Sequence, residues 1–419
     1  PYSYTSEMTV STADDIVLGG SYPSYTSVGS TVPVSLTWEK STTYDVGLDL
    51  DFFNNRLSVS GDYYRRYTTD MYTPSISLPS VYGTTSPKGN NAELRTTGWE
   101  LSLTWRDSFK LGGKPFDYSI KAMVWDSKSV ITKYVNDTGS LGTVKGFIEN
   151  GGSPSSYYVG MTVGEIWGYT VAGLFRDQAD IDSSAIHDFV QASDKVTRPG
   201  QVKIADLDGN GFIDPGNFAV DDHGDLRIIG NQSPRYRYGV NLSARWNGIG
   251  LSVFLQGVGA RDWYPGSDAG MFWGKYGRPF FALIPSIHNY TDDMYSAERN
   301  NWDTAYWPRM TTYQSNGTKN WTRLLEIPNT RYIQSAAYLR VKNIQLDYSF
   351  PKHICSAIRL QGLKIYVNAE NLFTLTPLNK YATNFDPEGL SYDSDFASAA
   401  DGYTYPILKS VTVGVNITF

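Results

Sequence analysis

The sequence predicts an all-β fold of antiparallel strands, and three observations carry that expectation. Segments of roughly ten residues alternate between apolar and polar side chains, which is the period of a strand and the length of a tilted outer-membrane crossing. The composition, with 31 Tyr, 18 Phe, 11 Trp and 39 Gly in 419 residues, favours strands and turns over helices. No run of about eighteen apolar residues occurs, which excludes an ordinary transmembrane helix and leaves a β-barrel open.

In chain order, the first clear strand is 44–52, where Val46, Leu48, Leu50 and Phe52 alternate with Asp45, Gly47, Asp49 and Asp51. Asn54-Asn55 then turns the chain into 56–66, with Leu57, Val59 and Tyr63 against Ser58, Ser60 and Asp62. Trp99, Leu101, Leu103 and Trp105 alternate with Glu100, Ser102, Thr104 and Arg106; residues 107–115 connect them to Tyr118, Ile120, Ala122 and Val124. Tyr236, Tyr238, Val240, Leu242, Ala244 and Trp246 follow, and Asn247-Gly248, a strong hairpin signal, leads into Leu251, Val253 and Leu255. Later strands are expected at 337–350, 363–369 and 408–419, the last with Val411, Val413, Val415, Ile417 and Phe419 on one face. That makes about ten strands, with a further pair before residue 40 and around 167–175.

Alternation alone does not distinguish a soluble sandwich, greasy face inward, from a membrane barrel, greasy face outward. Two further features favour the barrel. Trp99 and Trp105 lie about 20 Å apart along one strand, and Tyr238 and Trp246 about 27 Å apart, close to the separation of two aromatic girdles once tilt is included. Short turns at Asn54-Asn55 and Asn247-Gly248 alternate with long connections at about 70–97, 126–234, 259–335 and 374–405, the loop asymmetry of such barrels.

Charge and cysteine usage exclude other classes. A net charge of -6 and a pI near 5.3, without a dense Lys/Arg block, give no footprint for nucleic acid. Cys355 stands alone, so no disulfide framework or Cys-based zinc site forms within the chain. The chain opens on Pro1 without an initiator Met or signal peptide, which reads as a processed or internal start.

Several blocks resemble one family. Leu36-Thr37-Trp38-Glu39-Lys40, Val46-Gly47-Leu48-Asp49, Asn54-Asn55-Arg56-Leu57, Asp62-Tyr63-Tyr64 and Asn90-Asn91-Ala92-Glu93-Leu94-Arg95-Thr96-Thr97-Gly98-Trp99-Glu100-Leu101 are similar to signatures of the SusC/RagA family of TonB-dependent outer-membrane transporters. So are Pro234-Arg235-Tyr236-Arg237-Tyr238-Gly239, Gln256-Gly257-Val258-Gly259, Tyr338-Leu339-Arg340-Val341-Lys342-Asn343 and Asn368-Ala369-Glu370-Asn371-Leu372-Phe373. Their order and spread cover nearly the whole chain. The resemblance implies that residues 1–419 are the C-terminal portion of a 22-stranded transmembrane antiparallel β-barrel with long extracellular loops in the bacterial outer membrane. It also implies a plug and first strands outside this sequence, a SusD-like surface lipoprotein lid, energy from the TonB complex through the missing part, and pairing of two transporter–lipoprotein units. An open sheet cannot sit in lipid, so the strands are expected to close against the N-terminal remainder of the same transporter.

The sharpest local motif is Asp206-Leu207-Asp208-Gly209-Asn210-Gly211-Phe212-Ile213-Asp214, the first nine positions of an EF-hand-type loop. Oxygens of Asp206, Asp208 and Asn210, the Phe212 carbonyl and Asp214 can wrap a hard cation where Gly211 permits a sharp bend. A structural Ca²⁺, or Mg²⁺, in an extracellular loop is expected, and no organic cofactor. Asn217 stands where the twelfth-position Glu belongs, and Asp221, Asp222 or Asp225 could fold back in its place. The other reading is an Asx-rich turn.

A second feature is aromatic loading of one long connection. Trp263, Tyr264, Trp273, Tyr276, Trp302 and Trp307, with Phe272, Phe280, Phe281, Tyr306 and Trp321, can form a loop core, meet a partner protein or contact substrate. His187, His223, His288 and His353 are scattered with no ligand spacing and no nucleophile motif nearby, so no catalytic residue and no enzyme are expected. The expected function is TonB-dependent active import of an oligomeric nutrient, a glycan or a peptide. A secreted calcium-binding carbohydrate-active enzyme or lectin with a soluble β fold is the alternative, and a passive porin a third.

Overall fold

The computed structural model describes residues 8–28, 36–74, 88–143, 146–147, 154–187, 197–265, 272, 293–309, 327–390, 405 and 407–419. Nine strands form one antiparallel sheet in which each pairs with the next in the chain: β1 (Lys40–Phe52), β2 (Leu57–Pro74), β3 (Lys88–Leu111), β4 (Lys114–Lys133), β5 (Arg235–Trp246), β6 (Ile249–Ala260), β7 (Tyr338–Ser349), β8 (Gly362–Glu370) and β9 (Ser410–Thr418). A short strand, Thr374–Leu375, also pairs with β7. The expected pair before residue 40 is a separate hairpin, Met8–Thr12 with Ser24–Val28. The 167–175 region belongs to two small sheets off the main one, Glu165–Tyr169 with Leu226–Asn231 and Val171–Leu174 with Val202–Ile204.

At one end of the sheet β1–β2, β3–β4 and β5–β6 are joined by tight turns. Asn247 (φ 47°) and Gly248 (φ 89°), like Gly112 (φ 57°) and Gly113 (φ 77°), are two-residue turns with both φ values positive, the hairpin geometry that matches strand twist. Phe53, Asn54 and Asn55 are also left-handed, and a short helix, Lys352–Ala357, lies between β7 and β8. The opposite end carries the long connections.

Several strands outrun the expected boundaries. Pairing of β2 with β3 continues past residue 70 to Pro74 and Lys88, so residues 75–87, outside the described residues, remain of the connection predicted at 70–97. The 126–234 connection begins only after Lys133, and the 107–115 link is a turn at Gly112-Gly113. The cause is local: register shifts between Thr68 and Met71 and a left-handed Asp70 (φ 57°) break the two-residue period, and the outward residues there are polar. The 24 residues of β3 are about twice the roughly 9–11 needed to cross a membrane, so its upper half stands outside the hydrocarbon.

Register settles which way the greasy face points. One cross-strand row reads Phe52–Leu57–Trp105–Ile120–Leu242–Val253–Ile344–Ala369–Val411, apolar on all nine strands. The row beside it, on the other face, reads Asp51–Ser58–Thr104–Lys121–Asn241–Phe254–Asn343–Glu370–Ser410, polar everywhere except Phe254. Among the described residues nothing covers the apolar face: Val46 is 75% exposed, Leu48 62%, Leu346 53% and Val413 74%. A soluble sandwich would bury those positions. Glycines fit aromatics into this wall; a Cβ on Gly257 would lie 2.3 Å from the ring of Tyr238 on the neighbouring strand.

The buried core lies elsewhere. Leu141, Phe147, Trp167, Tyr169, Ile204, Leu226, Trp263, Trp307, Tyr332, Leu378 and Phe385, from the long connections 134–234, 261–337 and 371–409, form one continuous cluster with Ile131 at the upper end of β4. These loops therefore fold as a body at the open end of the wall.

Candidate metal loop and the loop body that holds it

The acidic loop follows the strand Val202–Ile204 and is pinned by a bridge to Ile186: Ile186 N–H donates to the Gly211 carbonyl and Ile213 N–H to the Ile186 carbonyl, each at 2.8 Å. Gly209 (φ 75°) and Gly211 (φ 85°) make the bends. Asp206 accepts from Gly209 N–H at 2.7 Å and Gly211 N–H at 3.0 Å, and the Gly211 bond leads in holding its carboxyl below the usual carboxylate range. Asp208 accepts from Asn210 N–H at 3.0 Å.

The closing residue is Asp225. Fully buried, it accepts from Leu207 N–H at 2.6 Å and Asp214 N–H at 3.2 Å, tying the two ends of the loop together. Burial, with Asp208 and Asp206 nearby, pushes its carboxyl up. Oxygens of Asp206, Asp208 and Asp225 all lie within 4.8 Å of one another. Of the residues predicted to bind metal, Asp206 and Asp208 thus meet; Asn210 accepts from Phe212 N–H at 2.7 Å, and Asp214 from Gly216 N–H at 2.7 Å. Neither bond of the Ile186 bridge uses the Phe212 carbonyl. Asn217 donates to Asp222, so the twelfth-position residue is engaged there.

The aromatic segment is corrected by its burial. Trp263, Tyr264 and Trp307 have no exposed surface, nor does Phe272, and side chains so enclosed cannot touch a substrate or partner in this arrangement. Trp307 packs against Phe272 (centroids 5.1 Å) and lies nearly parallel to Tyr332 (5.7 Å, 16°), and Trp263 packs on Phe385 at 4.8 Å. Tyr264 OH donates to the Ile327 carbonyl at 3.1 Å. Trp302 is half-buried against this core; Trp273 and Tyr276 lie outside the described residues.

His187 is buried beside the acidic loop. Its Nδ1 lies 2.7 Å from the Ala185 carbonyl and Nε2 accepts from Ile204 N–H at 3.0 Å, which fixes a neutral ring, and burial lowers its pKa. Charged side chains tether the body to the wall. Arg340 on β7, 3% exposed, meets Asp386 at 2.6 Å and Glu388 at 3.2 Å, and Lys342 meets Glu388 at 2.8 Å. Burial raises the Asp386 carboxyl, but hydrogen bonding to Arg340 and two backbone N–H groups holds it below the usual value. Arg261 gathers three carbonyls, of Gln232, Pro387 and Leu390. Sequence reasoning missed these tethers, because no local pattern links Arg340 to Asp386 across 46 positions.

On the polar face near the short turns, Arg106, Ser119, Arg245, Gly250, Asp347 and Lys364 line a hollow of about 810 Å³.

A family model described as TonB dependent receptor-like, beta-barrel, matches residues 3–221, more than half of the chain. Among curated relatives, the TonB-dependent receptor P3 of Formosa agariphila is 26% identical over 393 residues, covering 92% of this chain and 34% of that protein. The TonB-dependent receptor SusC of Bacteroides thetaiotaomicron is 23% identical over 392 residues, covering 92% and 32%. The chain therefore spans about a third of the length of these relatives. Among solved structures, the RagAB peptide importer in its open-open state superposes with a TM-score of 0.66 at 19% identity, over 100% of this chain and 38% of that one. Its closed-closed state gives 0.64 at 18%, over 100% and 39%, a likeness of fold.

Proposed function

Because this chain belongs to the family of TonB-dependent receptor-like β-barrels, we propose that its nine strands are part of the wall of an outer-membrane transporter importing an oligomeric nutrient, a glycan or a peptide. The observation that carries the reading is the apolar row crossing every strand with a polar row behind it. Such a wall separates hydrocarbon from an aqueous interior. The edges β1 and β9 close against strands of the N-terminal remainder, since unpaired backbone groups are not tolerated in lipid. That remainder also carries the plug and the contact with TonB, and a SusD-like lipoprotein seats on the loop body as a lid.

Deleting the gene should abolish growth on one class of oligomer while growth on its monomers continues, and loss of TonB should give the same phenotype. Unchanged growth on every oligomer tested, or uptake that survives without TonB, would sink the reading.

The acidic loop is read as a structural Ca²⁺ site, with Mg²⁺ as the other hard cation it could take. Asp206, Asp208 and Asp225 supply the converging carboxylates, and Asn210, the Phe212 carbonyl and Asp214 complete the oxygen set. Among the described residues no Lys or Arg side chain pairs with those three carboxylates, so a cation relieves their repulsion. Titration calorimetry on the purified transporter should show calcium binding weakened by about tenfold or more in Asp225→Asn. Identical isotherms for parent and variant would assign the loop to a metal-free turn.

A further inference from the structure

The outward face of the wall changes from oil to charge above the Tyr63–Trp99 pair. Register places Thr97 on β3 between Arg65 on β2 and Lys128 on β4, and Arg95 two residues further up β3 on the same face, opposite Tyr67. With strands about 4.8 Å apart and about 3.4 Å per residue, the three cationic positions lie within roughly 10 Å of one another. Arg65 and Lys128 are exposed and Arg95 half-buried.

Three carboxylates of the neighbouring strand segments are already paired. Asp126 is held by Arg235 at 2.5 Å, Glu93 by Lys133 at 3.4 Å and Asp70 by Lys40 at 2.9 Å. Arg65 Nη2 lies 3.5 Å from Tyr63 OH, and beside it Tyr44, Val46, Tyr63 and Tyr67 wall an outward-facing hollow of about 510 Å³. Directly below run the apolar side chains of Leu101, Leu103, Ala122 and Val124.

Three mutually repelling cations at the top of a lipid-facing surface are costly unless an anion sits among them. In a membrane the anion available at that height is a lipid headgroup, whose acyl chains would lie along the apolar face below. Guanidinium and ammonium groups together match phosphate oxygens, the arginines by paired N–H donors and the lysine as a point charge. We propose that Arg65, Arg95 and Lys128, grouped around Thr97, form a seat for the phosphate of an outer-leaflet lipid. The inference rests on the outward orientation of the sheet in the transporter reading and adds a specific lipid contact to it.

The test uses the full-length transporter, purified in detergent, with Arg65→Gln, Arg95→Gln and Lys128→Gln combined. A second variant carries Lys128→Gln alone, and Lys364→Gln on the polar face is the control. After exchange into micelles containing phosphatidic acid or lipid A, retained lipid is read by native mass spectrometry. The parent and the control should retain phosphorylated lipid, the triple variant at least about tenfold less and the single variant an intermediate amount, while inorganic phosphate fails to displace it. Equal retention by parent and triple variant would overturn the proposal. So would efficient displacement by inorganic phosphate, which marks a general anion site. Heat-modifiable gel migration, read on the same samples, separates the two ideas: a folded barrel with no lipid preference removes the seat alone, whereas a chain stable without detergent removes the barrel and the seat together.

Discussion

Replacing Val367 with arginine should destabilise the assembled barrel by about 2–4 kcal/mol, the cost of a charge on the lipid face near mid-bilayer. Val367 sits mid-strand in β8, 45% exposed, between Leu346 and Val413 on the same face. Thr412→Arg, at the same height but on the polar face opposite Asn368, should change stability by less than about 1 kcal/mol. Urea unfolding in bilayers, followed by loss of heat-modifiable migration, measures both. The contrast is diagnostic because a soluble protein would treat an exposed valine on a strand as an ordinary surface position, with an effect within about 0.5 kcal/mol. Equal, small effects at the two positions would mean that the apolar ladder faces water.

Much of this wall was legible because each strand position has one of two environments. Val46, Leu48 and Leu50 could alternate with Asp45, Gly47 and Asp49 only if one face met oil and the other water, and Asn247-Gly248 could only be a tight hairpin. The upper halves of β2, β3 and β4 were not legible, for the same reason. Above the hydrocarbon both faces are polar, so Thr96, Thr97 and Lys128 look like loop although each is paired in register. A bulge at Asp70 then erased the remaining period.

The candidate site was half legible. The spacing of Asp206, Asp208 and Asn210 is local and could be read; the choice of Asp225 over Asp221 or Asp222 depends on how a later segment folds back. Burying Asp225 requires donors, and the Leu207 and Asp214 N–H groups supply them, a tertiary fact without a sequence signature.

The aromatic loop shows the same limit from the other side, and it yields the second large effect expected. Trp and Tyr are the residue types of both binding surfaces and compact loop cores, so composition could not separate the two. Trp307 has no exposed surface, packs on Phe272, Tyr306 and Tyr332, and its backbone pairs with Asp293 and Tyr295. Trp307→Ala should therefore cost the loop body about 3–5 kcal/mol through the cavity it opens. Because the wall draws its stability from strand pairing and lipid, the loss should be local: faster proteolysis and hydrogen exchange across the described loop residues, with heat-modifiable migration of the barrel retained. Trp302→Ala, a half-buried neighbour, should leave loop protection close to that of the parent. If Trp307→Ala instead weakened ligand binding while loop protection stayed intact, Trp307 would be a contact residue and the enclosed packing around it would be wrong.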